Sequence, residues 1–127
     1  MHRILSIEIV SDVVCPWCFI GTRRLETAVA MVRSQVPDFS YQKRWLPFFL
    51  NPDTPPEGEP YLPFLEHKFG SRAAVEALFG RVREAGRAYG IDYAFEKIER
   101  RANTLRAHRL IHWAGIEGRQ SAVVTAL

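Results

Sequence analysis

The stretch that decides the fold is Ser11-Asp12-Val13-Val14-Cys15-Pro16-Trp17-Cys18, where a strand pattern passes directly into a helix pattern. Before it, apolar Leu5, Ile7 and Ile9 alternate with polar residues, which is the period of two that is typical of a strand. After it, a stripe at spacings of three and four runs from Thr22 to Val32. Pro16 suits the first position of a helix, where its missing N–H needs no partner. The sequence therefore predicts a strand that leads to Cys15 and an amphipathic helix over residues 16–32.

Two cysteines separated by two residues at a helix start have the arrangement that thiol–disulfide exchange requires. A thiol attacks a disulfide as the thiolate, and the unpaired N–H groups and positive dipole end of a helix N-terminus favour an anion. We therefore expect Cys15 to be the nucleophile, with a pKa below about 8.5. We expect Cys18, one turn later and more enclosed, to resolve the mixed disulfide. Pro16 stiffens the turn, and the uncharged Trp17 should lower the Cys15 pKa less than a histidine there would.

The rest of the chain divides into three predicted parts. A second strand over residues 39–46 would complete a right-handed β-α-β unit in residues 1–50. Five of the thirteen residues from Asn51 to Pro63 are proline, which predicts a connecting loop over residues 51–63 without helix. Residues 64–127 read as a helical insertion domain. Its predicted helix signals are a cap at Ser71 with a stop at Gly90, a second cap at Asn103 with a helix to about Ala114 and Gly115 as terminator, and a third start at Ser121.

Composition and charge exclude several classes of protein. Hydrophobic residues make up 47% of the 127 residues, and 17 basic residues spread along the chain face 14 acidic ones. A disordered chain is excluded, and a nucleic-acid partner is not expected. No apolar run approaches the roughly 20 residues that cross a membrane, so we expect no membrane partner. Ser6 and Glu8 interrupt the apolar start, so a signal peptide is not predicted and we expect a cytoplasmic location.

A metal site is the alternative use of the two cysteines. His108 and His112 lie four apart on a predicted helix and would complete a zinc set of two sulfurs and two nitrogens with Cys15 and Cys18. However, 89 residues separate Cys18 from His108, whereas about a dozen separate the pairs of a zinc finger. We favour redox chemistry without a bound metal. A metal-binding or interaction domain that uses Cys15, Cys18 and His108 stays as the alternative from another class.

The sequence resembles the DsbA-like oxidoreductases, in the branch called FrnE, which is related to the 2-hydroxychromene-2-carboxylate isomerases. The matching segments are residues 11–21, Trp45-Leu46-Pro47-Phe48, and Asn103-Thr104 with Ala107-His108-Arg109. The resemblance implies an enzyme that exchanges disulfides with a thiol-bearing or disulfide-bearing protein or small molecule. It implies no bound cofactor, with glutathione as the candidate co-substrate. It also implies that Trp45, Asn103 and His108 border the substrate site.

The related isomerases define the alternative enzyme function. In them a serine replaces the first cysteine, and glutathione binds there. Cys15 therefore favours disulfide exchange, and a glutathione-dependent isomerase or transferase of the same fold stays the alternative.

The resemblance implies an α/β fold, a thioredoxin-like β-α-β unit with an α-helical insertion. Members of the family continue through a strand preceded by a cis-proline, a further strand and a closing helix, but Pro63 is the last proline here. We therefore expect only the N-terminal part of such an enzyme, with the C-terminal β-β-α part missing. An incomplete sheet leaves an open strand edge, which favours self-association.

Overall fold

The structure, a computed structural model, describes residues 3–127 of the chain. Its strands are β1 (Leu5–Ser11), β2 (Tyr41–Pro47), β3 (Glu59–Pro60) and β4 (Arg100–Arg101). Its helices are α1 (Pro16–Gln35), α2 (Tyr61–Phe69), α3 (Arg72–Arg87), α4 (Leu105–Ile116) and α5 (Gln120–Ala126), with a short 3₁₀ turn at Phe95–Lys97. None of the helices within this part of the chain is both long enough and apolar enough to cross a membrane.

The described residues form two compact units. One joins the residues up to Leu50 with Thr104–Leu127, and the other is Asn51–Asn103. The predicted division at residues 50, 63 and 64 differs from these units, because α4 and α5 pack against β2. The assignment of residues 64–127 to one insertion domain remains a prediction.

The first unit contains the predicted β-α-β arrangement. β1 and β2 run parallel, in a register from Leu5 opposite Tyr41 to Ser11 opposite Pro47, and α1 connects them. Among the described residues this sheet has two strands, so the second edge of β1 has no neighbouring strand. The predicted α/β class and the incomplete thioredoxin-like sheet are therefore confirmed.

α1 begins where the sequence predicts and extends further. Cys15 is its N-cap, with an extended backbone, and Pro16 is the first helical residue. The helix buries Ile20 and Val29 and ends at Gln35, three residues beyond the predicted end. The junction of strand, cysteine and helix is thus as predicted.

α4 and α5 differ from the prediction at their starts and at one end. Thr104, and not Asn103, is the N-cap of α4. The helix also continues past Gly115 to Ile116, and the glycine with a left-handed φ after it is Gly118, at +69°. Gly115 instead leaves room for the side chain of Gln120. A Cβ on Gly115 would lie 3.0 Å from the Gln120 Nε2. α5 begins at Gln120 and not at Ser121.

The second unit contains α2, whose first turn lies within the proline-rich segment that is predicted to be a loop. Residues 51–63 are not all loop, because α2 begins at Tyr61. Pro63 lies in the first turn of α2, where backbone N–H groups have no helical acceptor, so proline costs no hydrogen bond there. The sequence also does not predict β3 and β4, which pair Glu59 with Arg101.

α3 confirms the predicted cap and packs an aromatic cluster. The Ser71 Oγ accepts a hydrogen bond from the Ala74 N–H at 3.1 Å, as the sequence predicts. The helix ends at Arg87, and Gly90 follows with a φ of +71°. The core of this unit includes stacked rings of Tyr61, Phe79, Phe95 and Tyr93, with successive centroids 6.2, 4.4 and 5.0 Å apart.

Candidate active site

Cys15 lies at the point where the loop after β1 becomes α1. Its N–H donates to the Asp12 carbonyl oxygen at 3.1 Å, which closes a turn before the helix. Its own carbonyl oxygen accepts from the N–H groups of Cys18 at 3.1 Å and Phe19 at 3.3 Å. The turn and the first helical hydrogen bonds together fix the backbone of Cys15 on both sides.

Both cysteines are half-buried free thiols, Cys15 at the N-cap of α1 and Cys18 in its first turn. Both side chains are half-buried, and the expectation that Cys18 is the more enclosed of the two stays a prediction. Pro16 is half-buried and Trp17 is exposed beside them. The four residues of the motif therefore form one patch in which a thiol pair meets solvent.

The pKa of Cys15 is raised, contrary to the sequence prediction. Burial is the main cause, and together with the side-chain hydrogen bond to Cys18 it raises the pKa of the Cys15 thiol to about 11. The backbone N–H groups of Cys18 and Trp17 act in the opposite direction and lower the pKa of Cys15. The helix N-terminus therefore does stabilise the thiolate, as predicted, but removal of water from the sulfur outweighs that effect.

His108 lies inside the first unit, where it pairs with Asp12. The His108 Nε2 is 3.0 Å from the Asp12 Oδ1 and 3.1 Å from the Phe48 carbonyl oxygen. The Asp12 Oδ2 accepts from the Leu50 N–H at 2.9 Å. The ring of Phe49 packs edge-on against the His108 ring, with centroids 4.9 Å apart. One nitrogen of His108 is thus already engaged by interior acceptors.

Trp45 and Asn103, the other two residues that the resemblance places at the substrate site, lie in different units of the structure. Trp45 is buried on β2, and the Lys43 ammonium lies 4.9 Å from the centre of its ring. It lines a groove of about 1140 Å³ between β2, α4 and α5. Asn103 belongs to the second unit, where its Nδ2 donates to the Thr54 carbonyl oxygen at 2.7 Å. A role for Trp45, Asn103 and His108 at a substrate remains a prediction.

Asp12 is the site residue that the sequence analysis missed. It follows β1 directly and precedes Cys15 by three residues. Its side chain is buried, and a buried charge needs a partner. The partner has a signal, because His108 is spaced like Ile111 and Ala114, the other buried positions of α4. The pairing itself joins residues 96 positions apart.

The structure does not favour the alternative metal site. Within residues 3–127, no group of three or more histidine, cysteine or acidic side chains is placed to hold a metal ion. His108, which the alternative requires, faces Asp12 instead.

A strand that ends in a dithiol at a helix N-terminus, followed by a parallel strand, defines a thioredoxin-like protein. The family model of the DSBA-like thioredoxin domain matches residues 6–127, and the chain belongs to this family. A crystal structure of a probable DsbA oxidoreductase from Streptomyces coelicolor is similar, with a TM-score of 0.78 and 30% sequence identity. The similarity covers 96% of this chain and 51% of that one, so the chain spans about half the length of that protein. No curated protein matches the sequence significantly.

Proposed function

We propose that this protein is a thiol–disulfide oxidoreductase in which Cys15 is the nucleophile and Cys18 resolves the mixed disulfide. The observation that carries the proposal is the pair of half-buried free thiols, Cys15 and Cys18, at the start of α1. The N–H groups of Trp17 and Cys18 favour negative charge on Cys15. This is the charge that the sulfur carries when it attacks or leaves.

The exchange proceeds in two balanced steps. The Cys15 thiolate attacks a substrate disulfide, whose S–S bond breaks as a mixed disulfide forms and one substrate thiolate leaves with a proton. Cys18 then loses its proton and attacks the Cys15 sulfur, which releases the second substrate thiol and closes the Cys15–Cys18 disulfide. Two electrons and two protons pass to the substrate, and the reverse sequence oxidises a dithiol.

The finer parts of the proposal come from the sequence. The resemblance over residues 11–21 supports the FrnE branch of the family. It also supports a protein or small-molecule disulfide as substrate and glutathione as co-substrate, without a resident cofactor. The cytoplasmic location and the absence of nucleic-acid and membrane partners remain predictions from composition.

Two cysteine variants test the assignment of roles. We expect Cys18→Ala to accumulate a mixed disulfide with oxidised glutathione on Cys15, because no second thiol can displace it. We expect Cys15→Ser to abolish reduction of a model disulfide. Mass spectrometry of the adduct and a turnover assay under anaerobic conditions measure both results.

Arg106→Ala, at an exposed position of α4, is the control and should react like the wild type. Turnover by Cys15→Ser at the wild-type rate would overturn the proposed function. Equal alkylation of Cys15 and Cys18 in the folded protein would instead overturn the assignment of nucleophile and resolver.

A further inference from the structure

Asp12 and His108 form a buried pair that disulfide exchange does not itself use. Their side chains are 2% and 6% exposed. The Nε2 of His108 faces two acceptors, the Asp12 Oδ1 and the Phe48 carbonyl oxygen, so this nitrogen carries a hydrogen and donates. The Asp12 carboxylate therefore has a donor on each oxygen, His108 on one and the Leu50 N–H on the other.

These bonds attach Asp12 to two other parts of the same unit. His108 lies on α4, and Leu50 lies in the segment that follows β2. A neighbouring bond strengthens this connection, since the Phe48 N–H donates to the Ser11 carbonyl oxygen at 3.0 Å. The side chain of Asp12 is therefore fixed from the side of α4 and from the end of β2.

The backbone of Asp12 in turn holds Cys15. Its carbonyl oxygen accepts the Cys15 N–H and closes the turn that begins α1. The Cys15 sulfur gains from the N–H groups of Trp17 and Cys18 only while it points at them. Such constellations need a positional accuracy of about 0.5 Å. A displaced turn therefore weakens the two bonds that favour the thiolate.

We propose that His108 is a positioning residue for Cys15, acting through Asp12 and the turn that Asp12 closes. This inference rests on the proposed function in one respect, that Cys15 is the reacting thiol. His108 does not touch the sulfur in this role. It keeps the Asp12 carboxylate in place, so that the turn presents Cys15 to the start of α1.

Alkylation of the reduced protein by iodoacetamide tests the proposal without any disulfide substrate. Peptide mapping gives the rate at Cys15 in the wild type and in His108→Ala at one pH. A pKa raised by about one unit leaves tenfold less thiolate, and a more basic thiolate that is intrinsically more nucleophilic recovers part of the loss. We therefore expect Cys15 to react about three- to fourfold more slowly in His108→Ala.

Two control variants separate positioning from stability. Ile111→Ala removes a buried side chain from the same helix without touching Asp12, so it should lower the unfolding temperature and leave the Cys15 rate unchanged. His108→Gln keeps a donor near Asp12 and should recover part of the rate. Circular dichroism gives the folded fraction for each variant.

A second variant keeps the test decisive if His108→Ala does not fold. Asp12→Asn replaces one acceptor oxygen with an amide of the same size, and it should slow Cys15 alkylation as well. Wild-type or faster alkylation in the folded His108 or Asp12 variant would overturn the positioning role, as would equal slowing by Ile111→Ala. If the wild type shows no disulfide exchange, the proposed function is refuted, but the alkylation rates still test the positioning role of His108.

Discussion

The side chain of Gln120 takes the place of a neighbouring strand at Trp45. Its Oε1 accepts the Trp45 N–H at 2.9 Å, and its Nε2 donates to the Trp45 carbonyl oxygen at 3.3 Å. The same Nε2 also donates to the Ile111 carbonyl oxygen at 3.1 Å. One amide thus satisfies the outer edge of β2 at Trp45 and connects α4 and the start of α5 to it.

Replacement of Gln120 should destabilise the first unit. In Gln120→Ala both backbone groups of Trp45 lose their partner in a partly buried position, which costs about 1–3 kcal/mol. We expect a lower midpoint in urea unfolding. Ser121→Ala, at the next and exposed position, is the control and should change the midpoint little. Equal midpoints for the two variants would show that the amide does not support this edge.

Cys15 should react slowly at neutral pH and faster in strongly alkaline solution. Its pKa is raised to about 11, so the thiol form persists below that pH and the thiolate fraction rises tenfold per pH unit until the pKa is reached. The alkylation rate of Cys15 should follow that slope from pH 7 to pH 10. A plateau below pH 9 would contradict the raised pKa and restore the sequence prediction.

The pH dependence of the reduction potential of the dithiol should also reflect the raised pKa of Cys15. When both thiols of the reduced form keep their protons, two protons accompany two electrons, and the potential falls by about 59 mV per pH unit. A thiolate formed at neutral pH would halve this slope above its pKa, to about 30 mV per unit. Equilibration with glutathione buffers between pH 6 and pH 8 measures the slope. We expect no break from Cys15 in this range, since its pKa lies above it.

The sequence predicted those parts of the site that local patterns determine. Alternation before Cys15 and helical spacing after Pro16 place the dithiol at a helix start, and the structure agrees. The predicted direction of the Cys15 pKa shift is wrong, because sequence spacing shows the helix N-terminus but not the burial of the sulfur. The sequence does not predict the Asp12–His108 pair for a similar reason, since no local pattern connects two residues 96 positions apart.

The elements of the fold that the sequence does not predict also depend on contacts between distant residues or on position within a helix. The proline content of residues 51–63 predicts a loop, although Pro63, in the first turn of α2, removes no helical hydrogen bond. β3 and β4 are two residues each and pair across about forty residues, so they leave no periodic trace. By contrast, Ser71 was identified correctly because a cap depends only on its nearest neighbours.

The open edge of β1 should make the 127-residue chain self-associate. Within the described residues β1 pairs with β2 alone, so a row of backbone donors and acceptors on its other side has no strand partner. Val10 adds an apolar side chain that is 60% exposed. Unprotected strand edges pair with other chains, and a lysine there opposes pairing by its charge.

We therefore expect sedimentation to show dimers or larger species at micromolar concentration, and Val10→Lys to shift them toward monomer. Met31→Lys, at an equally exposed apolar position of α1, is the matched control and should leave the association unchanged. A monomeric wild type, or equal dissociation by both lysine variants, would show that the edge of β1 is not the surface of association.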